Sequence, residues 1–163
     1  MKNIDIHLLQ RKKRNSNHMG DIYEYDDRTS NLVSRKRRDT PQKSFNDLIE
    51  DIVDNCIKFD TTKLFHQAVK KKDYKDYYEL ILNPIDLGSM KNKTKRCEYN
   101  NLQQLKDDMD LLVNNSRLYN GEEHEVTIQA VKVRNYALMK IEENKIKISE
   151  IENKINPIDE NDE

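Results

Sequence analysis

The scarcity of chain-turning residues constrains this sequence most: 163 residues contain only 3 Gly and 3 Pro. A sandwich or barrel reverses direction many times and draws on those residues at its turns. A chain so short of them is expected to be all-α, built from a few long helices. An apolar content of 35% beside 36% charged residues allows one compact core and hardly a second. No apolar run approaches the roughly 18 residues a spanning helix needs, so no membrane partner is expected.

Apolar spacing places the helices. Phe45, Leu48, Ile49, Ile52, Val53, Cys56 and Ile57 recur with helical period, predicting a first helix over about 44–58, capped by Ser44 or Asn46. A segment of roughly thirty residues follows without a sustained period, yet it carries Phe65, Val69, Tyr74, Tyr77, Tyr78, Leu80 and Ile81. So long a connection is usually functional, and its apolar content predicts that it is packed. Pro84 disfavours helix at Asn83, and Asp86 can cap a short helix through Leu87 and Met90 to about Arg96. Leu102, Leu105, Met109, Leu112 and Val113 predict a third helix over about 101–118, ended by Gly121. The last helix is expected from about Glu123 through Ile155, stopped by Pro157. Together these describe a left-handed four-helix bundle whose end, where the long loop meets the turn after the third helix, can hold a pocket.

The net charge of -1 hides a split. Residues 1–44 carry 11 Lys/Arg against 6 Asp/Glu, and residues 45–163 carry 18 against 24. The first segment holds two basic clusters, Arg11, Lys12, Lys13, Arg14 and Arg35, Lys36, Arg37, Arg38, around a stretch without period, and is expected to be a mostly disordered arm. The clusters fit a nuclear import signal, a phosphate-contacting arm with DNA as partner, or a solvated basic tail. Nuclear localisation is the expectation. The division that follows is an arm over 1–44, a folded domain over 45–156 and an acidic tail over 157–163.

No catalytic constellation is visible. His7, His18, His66 and His124 lie in unrelated contexts, and neither a zinc-binding His spacing nor a Gly-rich phosphate loop occurs. Cys56 and Cys97 have no metal spacing and read as ordinary thiols of a reducing compartment. Neither enzyme activity nor a cofactor or metal is expected.

Two stretches carry the functional signal: "DYYELILNPIDLGSM" from Asp76 to Met90, and "NNSRLYN" from Asn114 to Asn120. With this spacing they resemble the signature of the bromodomain, the acetyl-lysine-reading module, over approximately Phe45 to Ile148. Within the family, the loop and the "YNG" turn are most similar to bromodomains of the largest subunit of a general transcription initiation factor. The resemblance implies that Asn120 donates a hydrogen bond to the acetyl carbonyl and that Tyr77 reaches it through an ordered water. It implies further that Phe65, Val69 and Tyr74 line the pocket from the loop, that Tyr119 stands beside the anchor, and that Val126 is the gatekeeper. The partner implied is an acetylated histone tail or another acetyl-lysine peptide.

The residue types support that assignment on their own chemistry. Asn carries donors and an acceptor on a short arm, so at a helix terminus it can present an N–H to a carbonyl. Acetylation turns an ammonium into a neutral amide, and burying the unmodified ammonium without a partner costs several kcal/mol. Taken alone, Asn120 before Gly121 reads first as a plain helix C-cap; the flanking pattern is what turns the reading to a binding role. Tyr78 reads as a packing residue. Glu122, Glu123 and Glu125 form an acidic rim able to attract a Lys-rich tail, or simply a solvated face.

The sequence departs from the family pattern at the Trp-Pro-Phe shelf, where Lys63 and Leu64 precede Phe65, and at Lys75, where Pro is usual. Thr94 also replaces a commonly apolar residue in the short helix, which predicts weaker docking there. An alternative is therefore an interaction scaffold that keeps the fold with a degenerate pocket. Ile141, Asn144, Ile148, Ile151 and Ile155 approximate a stripe that would pair with another helix, pair with its own copy, or dock back on the bundle.

Overall fold

A computed structural model describes residues 39–157. Both basic clusters, Arg11 to Arg14 and Arg35 to Arg38, and the acidic tail after Pro157 lie outside the described residues. Six helical segments follow one another: α1 (Pro41–Phe59), α2 (Tyr77–Leu80), α3 (Leu87–Lys95), α4 (Leu102–Asn120), α5 (Glu125–Glu143) and α6 (Lys145–Ile155). No strand occurs among the described residues, in line with the all-α expectation.

The first helix begins earlier than the apolar stripe suggested. Thr40, not Ser44 or Asn46, is its cap: the Lys43 N–H donates to Thr40 Oγ1 at 3.1 Å, and Pro41 occupies the first turn, where a missing N–H costs nothing. The expected boundary at residue 45 thus falls inside α1. Asn46 has another task. Its Nδ2 donates to the Gln42 and Tyr99 carbonyls, each at 2.9 Å, while its Oδ1 accepts from the Tyr99 N–H at 3.2 Å. A buried carboxamide here ties α1 to the link between α3 and α4.

The core is one cluster, to which α1 gives Phe45, Ile49, Ile52, Val53 and Cys56, and α4 gives Leu105, Met109, Leu112 and Val113. Ala130, Val133 and Ala137 of α5 close it from the other side; their small side chains let that helix approach α1 and α4. Thr94 is buried as well. Its hydroxyl donates to the Lys91 carbonyl at 2.6 Å, so the polar atom is satisfied inside its own helix.

The last helix is broken at Asn144, whose Nδ2 donates to the Lys140 carbonyl at 2.8 Å. Beyond the break α6 folds along α1, burying Ile148 and packing Ile151 and Ile155 against the core. Glu152 Oε1 accepts from the Leu102 N–H at 2.8 Å, in the first turn of α4. The isoleucine stripe is therefore used within the chain.

The long segment between α1 and α3 is pinned at many points. Asp60, fully buried, accepts from the Phe65 N–H at 3.2 Å and from Gln129 Nε2 of α5 at 3.1 Å, with Thr62 also donating to it. The Leu87 N–H donates to the Phe65 carbonyl at 2.7 Å, the Tyr78 hydroxyl to the Val69 carbonyl at 2.5 Å, and Asn115 Nδ2 to the Asn83 carbonyl at 2.7 Å. The bonds to Gln129 of α5, Asn115 of α4 and Leu87 of α3 would be exchanged for water if the loop lifted, which helps to hold the segment against the bundle.

Candidate functional site

Helix α4 ends where the pinned loop crosses it, and a cavity of about 150 Å³ opens between them. Leu64, Phe65, Val69 and Tyr74 line it from the loop, Tyr77 from α2, Tyr119 and Asn120 from the last turn of α4, and Val126 from α5. All seven residues singled out for the pocket, and Leu64 of the altered shelf, thus share one cavity. Lys63 does not line it; the residue is exposed and sits in a left-handed conformation at φ 59°, in the turn closed by its N–H to the Asp60 carbonyl.

Gly121 allows this corner to form. At φ 96° it leaves the helix in a conformation that L side chains rarely adopt, and its N–H still closes the last turn on the Arg117 carbonyl at 2.9 Å. The turn then enters α5 through His124, whose Nδ1 accepts from the Val126 N–H at 3.2 Å. Asn120 is left half-buried at the cavity wall. Its Nδ2 donates to Ser116 Oγ at 3.3 Å, one turn back along α4.

Three tyrosines build the aromatic side. Tyr119 meets Tyr77 at 5.0 Å and Tyr74 at 6.4 Å between ring centres, both edge-to-face, and Tyr77 meets Tyr78 at 5.3 Å in the same manner. The Tyr119 hydroxyl donates to Asp76 Oδ1 at 2.9 Å, and that bond is the main cause holding it protonated above the usual phenol range. Tyr77 is only 8% exposed; burial first, then the neighbouring Tyr78, Asp86 and Tyr119, push its hydroxyl up. Both phenols therefore remain donors across the physiological range.

Several wall residues escaped the sequence reading. Ile85 and Leu112 add apolar surface, and Gln67 adds a polar group at the loop side. Asn115 and Ser116 also line the cavity, and their signal was available: they stand five and four residues before Asn120 on the same helix. Asp86 brings the wall's single carboxylate, with Oδ1 engaged by the Ser89 N–H at 2.8 Å as the cap of α3. The rim residues Glu122, Glu123 and Glu125 are exposed, and Glu122 pairs with Arg117. No cluster able to hold a metal ion occurs among the described residues, and no helix there is long and apolar enough to cross a membrane.

The wall is mostly apolar and aromatic and carries three carboxamides, Gln67, Asn115 and Asn120, of which Asn115 is engaged with the Asn83 carbonyl and Asn120 stands at the end of α4. It suits a slender neutral group carrying a methyl and a carbonyl, since a bare ammonium would lose its hydration there.

Comparison with known proteins bears on the fold and its family. The family model described as the bromodomain matches residues 49–132. Transcription initiation factor TFIID subunit 1 of Caenorhabditis elegans is 31% identical over 131 residues, covering 80% of this chain and 8% of that protein. The protein of the same name from Arabidopsis thaliana is 34% identical over 86 residues, 52% of this chain and 4% of its own length. A bromodomain-containing protein homolog of Drosophila melanogaster is 33% identical over 78 residues, 48% of this chain and 6% of that protein. The chain thus spans less than a tenth of the length of these relatives. Among solved structures, that of CpBRD2 from Cryptosporidium matches with a TM-score of 0.57 at 26% sequence identity, covering 60% of this chain and 92% of that one.

Proposed function

The chain belongs to the bromodomain family, and from that premise we propose that its cavity binds the acetylated lysine of histone tails, with Asn120 as the anchoring donor. Bromodomains are generally non-enzymatic readers of acetyl-lysine in transcription and chromatin, and the relatives named as transcription initiation factor subunits fit that setting.

One observation carries the reading. A cavity of about 150 Å³ runs under the Asn120 carboxamide, walled by Phe65, Val69, Tyr77 and Val126, and its entrance is not filled by the lysine that replaces the family's shelf. In this reading the acetyl carbonyl accepts from Asn120, the Tyr77 hydroxyl bonds it through a water, and the methyl meets the apolar wall. The exposed Glu122, Glu123 and Glu125 attract the basic residues around the acetylated position, an effect that salt screens. The basic arm before α1 supplies nuclear import or contact with DNA phosphates, and the domain works in the nucleus.

Binding by one small group in one pocket is weak, because the area gained is limited against the cost of association. An array of acetylated and unmodified histone peptides tests the proposal. Signal at acetylated positions and none at their unmodified counterparts is expected. Equal retention of both forms, or of neither, would refute it.

A further inference from the structure

We propose that Ser116 and Thr127 are positioning residues: their hydroxyls form a relay of fixed polarity that holds the Asn120 carboxamide with its nitrogen inward, so that the remaining N–H meets the ligand carbonyl. The consequence for binding rests on the acetyl-lysine reading above; the polarity of the relay does not.

The direction of every proton in the relay follows from its far end. Thr127 Oγ1 lies 2.7 Å from the Gly121 carbonyl oxygen, which can only accept, so the single Thr127 hydroxyl proton is committed there. Toward Ser116 Oγ, 3.2 Å away, Thr127 Oγ1 must then accept, and the single Ser116 proton is committed in turn. Ser116 Oγ therefore faces the Asn120 side chain, 3.3 Å distant, as an acceptor. Only the nitrogen end of the carboxamide satisfies it. A flipped Asn120 would either set Oδ1 against an oxygen whose proton is spent on Thr127, or draw that proton away and leave the Ser116 and Thr127 oxygens facing each other unbonded; either way one buried hydrogen bond is lost.

Burial gives this logic its force. Ser116 is 6% exposed and Thr127 1% exposed, so water does not readily substitute for a missing partner. The two residues come from different helices, α4 and α5, and the relay closes the turn that Gly121 opens. Asn120 makes no other side-chain hydrogen bond among the described residues, leaving the second N–H of the same nitrogen unspent. Helix termination and ligand recognition are thus joined in one chain of hydrogen bonds: the carbonyl of Gly121 at one end sets which atom Asn120 shows at the other.

Variants that separate shape from hydroxyl test the idea. Thr127→Val keeps the volume and removes the hydroxyl, whereas Thr127→Ser keeps the hydroxyl and removes the methyl. The first readout needs no ligand: side-chain ¹⁵N relaxation of the Asn120 carboxamide in the free protein. Thr127→Val and Ser116→Ala are expected to lower its order, and Thr127→Ser to leave it like wild type. The second readout is affinity for an acetyl-lysine peptide, expected to weaken about five- to tenfold in Thr127→Val and to stay within about twofold in Thr127→Ser. A Thr127→Val protein with wild-type carboxamide order would overturn the relay, as would a Thr127→Ser protein that loses as much order as Thr127→Val. If Thr127→Val does not fold, Ser116→Ala reads the same link from its other end. Should wild type bind no acetylated peptide, the function proposed above fails while the relaxation measurement still decides the relay.

Discussion

Asn46 and Asn120 share a side chain and a place near a helix end, yet sequence alone distinguished only one of them. Asn120 was legible because the stretches Asp76–Met90 and Asn114–Asn120 together carry a signature, and the structure sets it beside the aromatic residues of that signature. Asn46 read as a cap because caps are local, whereas its partner, the backbone of Tyr99, lies 53 residues away and leaves no trace nearby. The two cysteines show the opposite case, in which the apolar stripe fixed the environment. Cys56 is fully buried, and burial pushes its thiol up from 9.0 to about 12, while Cys97 is partly exposed. A thiol-reactive dye at pH 8 is expected to label one thiol per folded chain and two in denaturant; prompt labelling of both in the native protein would contradict the burial. Because the folded pKa is the raised one, the stability Cys56 contributes is full below about pH 9 and is lost as pH climbs toward 12.

At the scale of elements, the long periodic helices and the short α3 with its Asp86 cap were readable, whereas the single turn of α2 and the break near the end of the chain were not. Helix α2 is a single turn of four residues, shorter than any window in which a period can be counted. The break between α5 and α6 is equally local: the Asn144 side chain competes for a backbone carbonyl inside an apolar pattern that continues across it. The loop's packing could be inferred from its aromatics, but not the contacts that pin it. Gly88 is the clearest such contact, since a Cβ there would stand 2.6 Å from the His66 carbonyl oxygen, a backbone atom that cannot swing aside. Replacing Gly by Ala inside a helix ordinarily stabilises by up to about 1 kcal/mol. Here Gly88→Ala is expected to destabilise by about 1–3 kcal/mol, as forced overpacking does, because α3 must part from the loop. Chemical denaturation measures it, and an unchanged or higher midpoint would show that the loop does not depend on this approach.

Over the whole molecule, one core holds both ends of the described chain. Helix α6 lies along α1, and Glu152 engages the first turn of α4, so the stripe of isoleucines is spent in completing the bundle. The bundle in turn supports a loop held by buried groups, and the loop forms one wall of the cavity whose other wall is the end of α4. In the function proposed above, recognition is a property of that assembly: Asn120 is the donor, and the loop and α5 contribute the apolar wall against which a charged lysine would lose hydration. Calorimetric titration with one histone-tail peptide, prepared with a single lysine either acetylated or free, tests this most directly. The acetylated form should bind at least about tenfold more tightly, and Asn120→Ala should lose about 1–3 kcal/mol of that binding while melting as a folded protein. Equal affinity for the two forms, or an unchanged affinity in Asn120→Ala, would contradict it.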